Sequence, residues 1–423
     1  MELAQEEREL KRGLAWNASS LVILGLSGFA MLAAIERLFG GEVLGRFQLV
    51  WGAYVILSQL GVGGLDRSVL RAVAEARGNR SRVAALAWGA LLPAVCLALL
   101  VGALFALAAQ PFAAAMGSPD VATGVLVAAP GLVFFSVNKV LLGVVNGLGR
   151  MRAFACYQAL RYLLMPASVV AMHGLGWEGA WVPALFSLTE GALLLVLAGE
   201  FSATVGRPEP GVQREMGPHL RFGLRSVLAG VILELNTRLD VLMLGYFLTS
   251  DGPVGIYSLA VAVAEGVFQL VVVMQNNYNP ILARHLAARR HAELASVVAV
   301  GKRRAWTALL AVGVVSVALF PLGAELLMGG PGYRDAWLPY AILMGSICLA
   351  AGWLPFGQIL LMGNRPGWHT LLMTGVLGMN FLGNALLIPH LGLAGAAVGT
   401  GLAFLVSAAL TVLLSRKALG FKL

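Results

Sequence analysis

Residues 174–182 read GLGWEGAWV, and about 210–216 positions further on residues 390–398 read HLGLAGAAV. Five of the nine positions carry the same residue: Leu175/Leu391, Gly176/Gly392, Gly179/Gly395, Ala180/Ala396 and Val182/Val398. A second pair at a similar offset sets LGRF at 44–47 against VGIY at 254–257. Beyond each member of that second pair an apolar run ends in a polar cluster, Asp66-Arg67 in one half and Asn276-Asn277 in the other, followed by a basic amphipathic loop. Two copies of one architecture, each about half the chain, are therefore expected.

What kind of architecture follows from composition. Of 423 residues, 59% are hydrophobic and only 12% charged, with a mean hydropathy of +0.82. A soluble chain carries about 25% charged residues, so this one lacks the polar groups to cover its surface in water. An all-α integral membrane protein is expected. A spanning helix needs about 20 apolar residues at 1.5 Å rise each. On that criterion twelve transmembrane helices are predicted, at 14–36, 43–65, 83–109, 121–145, 153–173, 179–200, 224–248, 254–278, 305–328, 337–362, 368–388 and 392–414. No ten-residue alternation of the outer-membrane barrel kind is present. The run after the mixed-charge residues 1–12 is too long for a signal-peptide core, so no cleaved targeting segment is expected. Cys96, Cys156 and Cys348 lie far apart within apolar runs and read as packing residues.

Loop charges orient the spans. Twenty-four of the thirty Lys and Arg residues fall on one side of this map, and only Arg37, Arg46 and Arg334 on the other. That asymmetry predicts both termini in the cytoplasm, and it accounts for the net charge of +9 without a nucleic-acid partner. Six spans separate the copies, so both halves share one orientation. Parallel lobes of this kind meet at a midplane cavity in transporters. The expected domains are a six-helix lobe over 1–200, a cytoplasmic linker over 201–218 and a second six-helix lobe over 219–423.

Charges at span depth are costly and usually face a bundle interior or wet cavity. Residues 233–240, LELNTRLD, are the densest case: Glu234 and Arg238 stand four apart, as do Asn236 and Asp240, so one wide helix face is polar. The first lobe holds Asn138, Lys139, Arg161 and Glu190; the second adds Glu265, Gln275-Asn276-Asn277, Asn380 and Asn384. Lys139 and Arg161, with Arg46 near the outer end of the second span, suit an anionic cargo. Glu234, Asn236, Asp240, Glu265 and Glu190 are candidates for ion coupling or gating by H+ or Na+. A structural ion-pair network is an equal alternative for the seventh span, as is snorkelling for Lys139. No metal cluster, P-loop, nucleophile elbow or dinucleotide fingerprint is present. Neither an enzyme nor a cofactor is expected, and uphill transport would draw on an ion gradient or the membrane potential.

The segment Asn236-x-Arg238-x-Asp240-x-x-Met243-Leu244-Gly245, then Val254-Gly255-x-Tyr257-Ser258-x-Ala260, resembles bacterial polysaccharide or O-antigen flippases of the multidrug/oligosaccharidyl-lipid/polysaccharide exporter (MOP) superfamily. The stretch from Gly357 to Thr400 is similar to a second signature of that family. It contains Leu360 to Arg365, Asn380, Asn384, Leu387-Ile388-Pro389 and Gly392-x-x-Gly395-Ala396-Ala397, with Gly330, Tyr333 and Ala336 fitting the preceding outer connection. The resemblance implies a MATE/MOP-type fold in a bacterial inner membrane. It also implies alternating-access movement of an undecaprenyl-diphosphate-linked oligosaccharide to the outer leaflet during polysaccharide or lipopolysaccharide biosynthesis, beside a polymerase and glycosyltransferases. Only Asn236, Arg238 and Asp240 carry over from its motif; Arg161, Lys139 and Arg46 rest on their own chemistry. A cation-coupled multidrug exporter, a lipid II or teichoic-acid precursor flippase, and a non-transporting scaffold for glycosyltransferases remain alternatives.

Overall fold

The computed structural model describes residues 25–208, 211–329, 331–421 and 423. The start of the first expected span, the basic residues of 1–12 and Gly330 lie outside the described residues. Among the described residues the chain is helical, with short 3-10 turns and no strand. The rods are α1 (25–39), α2 (Gly41–Val62), α3 (Leu65–Glu75), α4 (Arg80–Leu107), α5 (Ala109–Ala115), α6 (Asp120–Gly147), α7 (Met151–Gly174), α8 (Ala184–Thr204) and α9 (Val212–Phe247). They continue as α10 (Gly252–Ala287), α11 (His291–Met328), α12 (Trp337–Ala350), α13 (Ile359–Met362) and α14 (Pro366–Leu419).

From the second span onward each expected segment coincides with helix. Seven described helices are long and apolar enough to cross a membrane, or eight with one bent pair taken as a single span. α7 and α9 fall outside that set: α7 carries Arg161 with Gln158, Tyr162 and His173 and is too polar overall, and α9 carries Glu234, Arg238 and Asp240 at span depth. Large apolar side chains face outward, with Leu107 and Leu195 each 78% exposed. Such faces are stable against lipid rather than water, and the protein is a multi-pass membrane protein.

Three local departures from the expected spans have physical causes. The tenth is broken: Gly332–Ala350 and Leu354–Met362 are bent by 64°, around the 3-10 turn Leu354–Phe356 that holds Pro355. Gln275 Nε2 donates to the Leu354 carbonyl at 2.9 Å, so a backbone group freed by the bend finds a partner within the fold. The basic connections expected as loops are helical: α3 is a separate amphipathic helix, while α10 and α11 run on until only Ala288–Arg290 lies between them. The eleventh and twelfth spans are the two arms of α14, divided at Gly392 with φ 55° and ψ −127°. Its repeat partner Gly176, just past α7, also has positive φ, at 73°. The repeated glycine therefore marks equivalent breaks in the two halves, where a side chain would be strained.

By contacts the chain divides into two compact units at Val231/Ile232, within α9. The first buries the apolar stripe of α3 (Leu65, Val69 and Val73) against α4 and α6, in a core that α8 also enters. Phe186 of α8 stacks between Phe47 and Tyr54 of α2, with ring centroids 5.5 and 4.4 Å apart. Glycines let helices touch where lipid gives no hydrophobic drive for association: a Cβ on Gly131 would lie 2.6 Å from the Ser187 backbone nitrogen. In the second unit Leu282, Leu294, Phe356, Ile359, Leu372 and Phe421 form a core. The arms of α14 meet so closely that a Cβ on Gly383 would lie 2.8 Å from the Gly399 Cα.

The start of α9, ahead of its expected span, is fastened within the first unit. Arg82 grips Glu215 through two hydrogen bonds of 2.6 and 3.2 Å, and Ser68 Oγ lies 2.8 Å from His219 Nδ1. Burial pushes the His219 imidazole below the ordinary histidine value, partly opposed by the charge of Glu215. The unfolded chain therefore takes up this proton first as pH falls. The stability that His219 contributes is complete above the ordinary value and is lost as pH drops through it towards the lower folded value. The melting temperature in detergent should decline as pH falls below about 6.5. His219→Gln should flatten that decline; an unchanged slope would sink the assignment.

Candidate functional site

Two clusters of buried polar side chains lie at span depth, one in each unit. In the first, α6 contributes Phe135, Asn138 and Lys139, α7 contributes Gln158 and Arg161, and α8 contributes Glu190. Asn138 and Glu190 are fully buried and Arg161 is 3% exposed, so each requires a partner inside the protein. Glu190 lies in the fork of the Arg161 guanidinium: Nη2 donates to Oε2 at 3.0 Å, and Nε stands 2.7 Å from Oε1 as an ion pair without hydrogen-bond geometry. A hydrogen bond between two ionised groups is stronger than one between neutral groups. Nη1 donates to Gln158 Oε1 at 3.1 Å.

Asn138 Nδ2 donates to Glu190 Oε2 at 2.8 Å and to the Glu190 carbonyl at 2.9 Å, while Glu190 Oε1 accepts no hydrogen bond. Its Oδ1 is buried with no hydrogen-bond partner. Phe135 joins the cations: the Arg161 guanidinium carbon is 5.0 Å from its ring centroid and the half-buried Lys139 Nζ is 5.5 Å away. An aromatic face attracts both cations. Asn138, Lys139, Arg161 and Glu190 thus come together from three helices. Arg46 instead forms an ion pair with Asp120, the first residue of α6.

In the second unit Asp240 of α9 is 2% exposed. Its Oδ2 accepts from the Tyr257 hydroxyl at 2.7 Å and from Thr400 Oγ1 at 3.2 Å. Oδ1 accepts from its neighbour's backbone, Val241 N–H, at 2.8 Å. Thr400 also reaches Asn380 Oδ1 at 3.4 Å, and that oxygen accepts from Asn384 Nδ2 at 2.8 Å. Asn380 Nδ2 donates to the Asn236 carbonyl at 3.1 Å. The result is one network of a carboxylate, two hydroxyls and two amides drawn from α9, α10 and both arms of α14. Asn384 Oδ1 and Asn236 Oδ1 are buried acceptors without hydrogen-bond partners.

The remaining members of the polar face of α9 turn elsewhere. Arg238 Nη2 stands 3.7 Å from Glu265 Oε2 of α10, with 20% and 41% of the two side chains exposed. Glu234 takes Thr237 Oγ1 on its carbonyl at 3.0 Å. Sequence reading did not single out Phe135, Gln158, Tyr257 or Thr400 as site residues. Tyr257 and Thr400 did stand inside the quoted signatures, but apolar and hydroxyl side chains give no charge signal. Among the described residues no group of three or more His, Cys, Asp or Glu could hold a metal ion, and the three cysteines are free thiols.

The profile of a family described as "Polysaccharide biosynthesis protein" matches residues 10–286. A search of curated protein sequences gives no significant match. Solved structures do match. One is the inward-facing conformation of a multidrug resistance MATE family transporter of the MOP superfamily, with a TM-score of 0.78 at 16% identity, covering 94% of each chain. The lipid II flippase MurJ in an inward closed conformation aligns with a TM-score of 0.75 at 11% identity, over 96% of this chain and 87% of that one. A MOP superfamily transporter from Pyrococcus furiosus, in which reverse polarity of the binding pocket suggests a different function, gives 0.66 at 17% identity over 95% and 93%. At these identities the likeness shows the fold, which is that of MOP superfamily transporters.

Proposed function

Because the chain belongs to the polysaccharide biosynthesis protein family, we propose that it is a flippase for a lipid-linked oligosaccharide. Its cargo is an undecaprenyl-diphosphate-linked repeat unit, moved from the inner to the outer leaflet of a bacterial cytoplasmic membrane by alternating access. Both termini face the cytoplasm in this reading, with lobes at 1–200 and 219–423 and the linker between them. Polymerase and glycosyltransferases are the partners that would use and supply such a cargo.

The observation that carries the reading is the convergence of Lys139 and Arg161 on the Phe135 ring beside Asn138. A diphosphate entering a low-dielectric bundle must exchange its water for cations and donors. Arg matches phosphate oxygens with two parallel N–H groups, and Lys adds a mobile point charge. In the second unit Arg238, with 20% of its side chain exposed, is a further candidate for anionic cargo. The second-unit network around Asp240, with Asn236, Glu234 and Glu265, supplies carboxylate and amide oxygens suited to a coupling H+ or Na+.

A strain lacking this protein should lose its surface polysaccharide and regain it on complementation. The Arg161→Ala variant, matched for expression, should restore less than a tenth of the wild-type level. Retained polysaccharide in the null strain would defeat the reading, and full rescue by Arg161→Ala would defeat the site. A multidrug exporter would instead drive efflux of a cationic dye under an imposed ion gradient. The buried Glu190 is paired with Arg161 and is not bare for such a cation.

A further inference from the structure

Arg161 is the group best shaped for phosphate, yet Glu190 already fills its fork. A carboxylate presents two anionic oxygens to a guanidinium much as a phosphate does. We propose that Glu190 is an internal stand-in for the cargo's phosphate. It holds Arg161 while the site is empty; cargo binding moves Arg161 from Glu190 to a phosphate oxygen, and Glu190 takes up one proton from solution. The proposal rests on the flippase reading and adds proton linkage to the cargo site itself.

Charge balance decides the proton. Arg161 and ionised Glu190 cancel each other while they are paired. A diphosphate diester, as in a lipid-diphosphate sugar, carries two negative charges with no titration near neutrality. Once it takes Arg161, an ionised Glu190 would be left as a bare buried carboxylate beside a dianion, which is strongly disfavoured. Protonation of Glu190 removes that stranded charge. The proton bonds to a Glu190 oxygen, and no other bond is made or broken.

Among the described residues of this cluster, Glu190 is the carboxyl group placed to make this exchange. From α6 it meets Asn138, with Lys139 next in sequence; from α7 it meets Arg161, with Gln158 behind. Tyr54 of α2 and Tyr162 of α7 share the electrostatic field of Glu190 and Arg161, but phenols ionise near 10 and remain neutral. The buried Oδ1 of Asn138, on the same amide whose Nδ2 already contacts Glu190, lacks a donor. A protonated Glu190 supplies the hydroxyl that this atom can accept.

The experiment is calorimetric titration of purified full-length protein in detergent at pH 7.5, using a farnesyl-diphosphate-linked N-acetylglucosamine as the probe. Two buffers of different ionisation enthalpy, Hepes and Tris, report the protons exchanged. Wild type should take up about one proton per probe bound, and its affinity should weaken by about tenfold per pH unit towards pH 8.5. Glu190→Gln should bind with no net uptake and no pH slope, whereas Arg161→Gln should bind at least tenfold more weakly. Wild-type binding without proton uptake overturns the proposal and leaves the flippase reading standing, as does an unchanged uptake in Glu190→Gln. Failure of wild type to bind the probe, or full binding by Arg161→Gln, defeats the cargo site together with the proposal. Because the wild-type buffer comparison is sufficient alone, a Glu190→Gln protein that does not fold leaves the test intact.

Discussion

Arg161→Ala should lower the stability of the protein by about 3–5 kcal/mol, and Glu190→Ala by a similar amount, because either change strands a buried charge. The double variant should cost less than the sum of the singles by about 1–3 kcal/mol, the coupling typical of side chains in direct contact. The pair joins one hydrogen bond of 3.0 Å to an ion-pair approach of 2.7 Å, and sits almost wholly out of solvent. Solvent screening, which makes exposed pairs nearly worthless, is therefore slight here. Denaturant unfolding in detergent, followed by tryptophan fluorescence, measures all four corners of the cycle. Strictly additive losses would mean that the two side chains do not act on each other. The isolated Arg161→Ala loss also includes its packing over Phe135, so the coupling energy, not the single loss, tests the pair.

Asp240→Ala carries the second large effect. The substitution removes the acceptor for Tyr257, Thr400 and the Val241 amide together, and takes from the fully buried Tyr257 hydroxyl its carboxylate acceptor. Hydrogen bonds to a charged group contribute about 1.5–3 kcal/mol each, and an orphaned donor costs about 1–3 kcal/mol. Since the three share one carboxylate, a combined loss of about 3 kcal/mol or more is expected. Transport measured under an imposed ion gradient should fall by more than tenfold. Tyr257→Phe, which leaves the carboxylate two of its partners, should cost about 1 kcal/mol. Equal losses for Asp240→Ala and Tyr257→Phe would show that the carboxylate is not the hub of the network.

Much of this arrangement was readable from the chain itself, and the boundary of legibility is physical. Span positions follow from hydropathy because lipid demands about 20 apolar residues per crossing, and the repeat at 174–182 and 390–398 located both positive-φ glycines. Asn380 and Asn384 were readable as neighbours, since four residues on a helix return to one face, and they do bond to each other. Arg161 and Glu190 each stood out as isolated charges, but nothing local joins them across 29 residues. Arg238 looked paired with Glu234 by spacing, yet its recorded ion pair runs to Glu265 on the next helix. Helix-period rules see only one rod, whereas these partners are chosen by how rods pack. Phe135 and Thr400 carry no charge to flag them, so only the folded geometry reveals their part.

The fork between α7 and α8 also bears on how the chain enters a bilayer. An arginine at the centre of a lone spanning helix costs about 2.5–3.5 kcal/mol on insertion scales. That burden falls on α7, one of the helices short of the apolarity needed to cross alone. α8 follows directly, passes that threshold and carries the carboxylate that cancels the charge. Entering together as a hairpin, the two helices bring a neutral pair into the hydrocarbon; entering singly, each exposes an ion. Biosynthesis thus has its own reason to keep Arg161 and Glu190 on consecutive helices, and a ribosome-linked insertion assay would see α7 integrate efficiently only when α8 has emerged behind it.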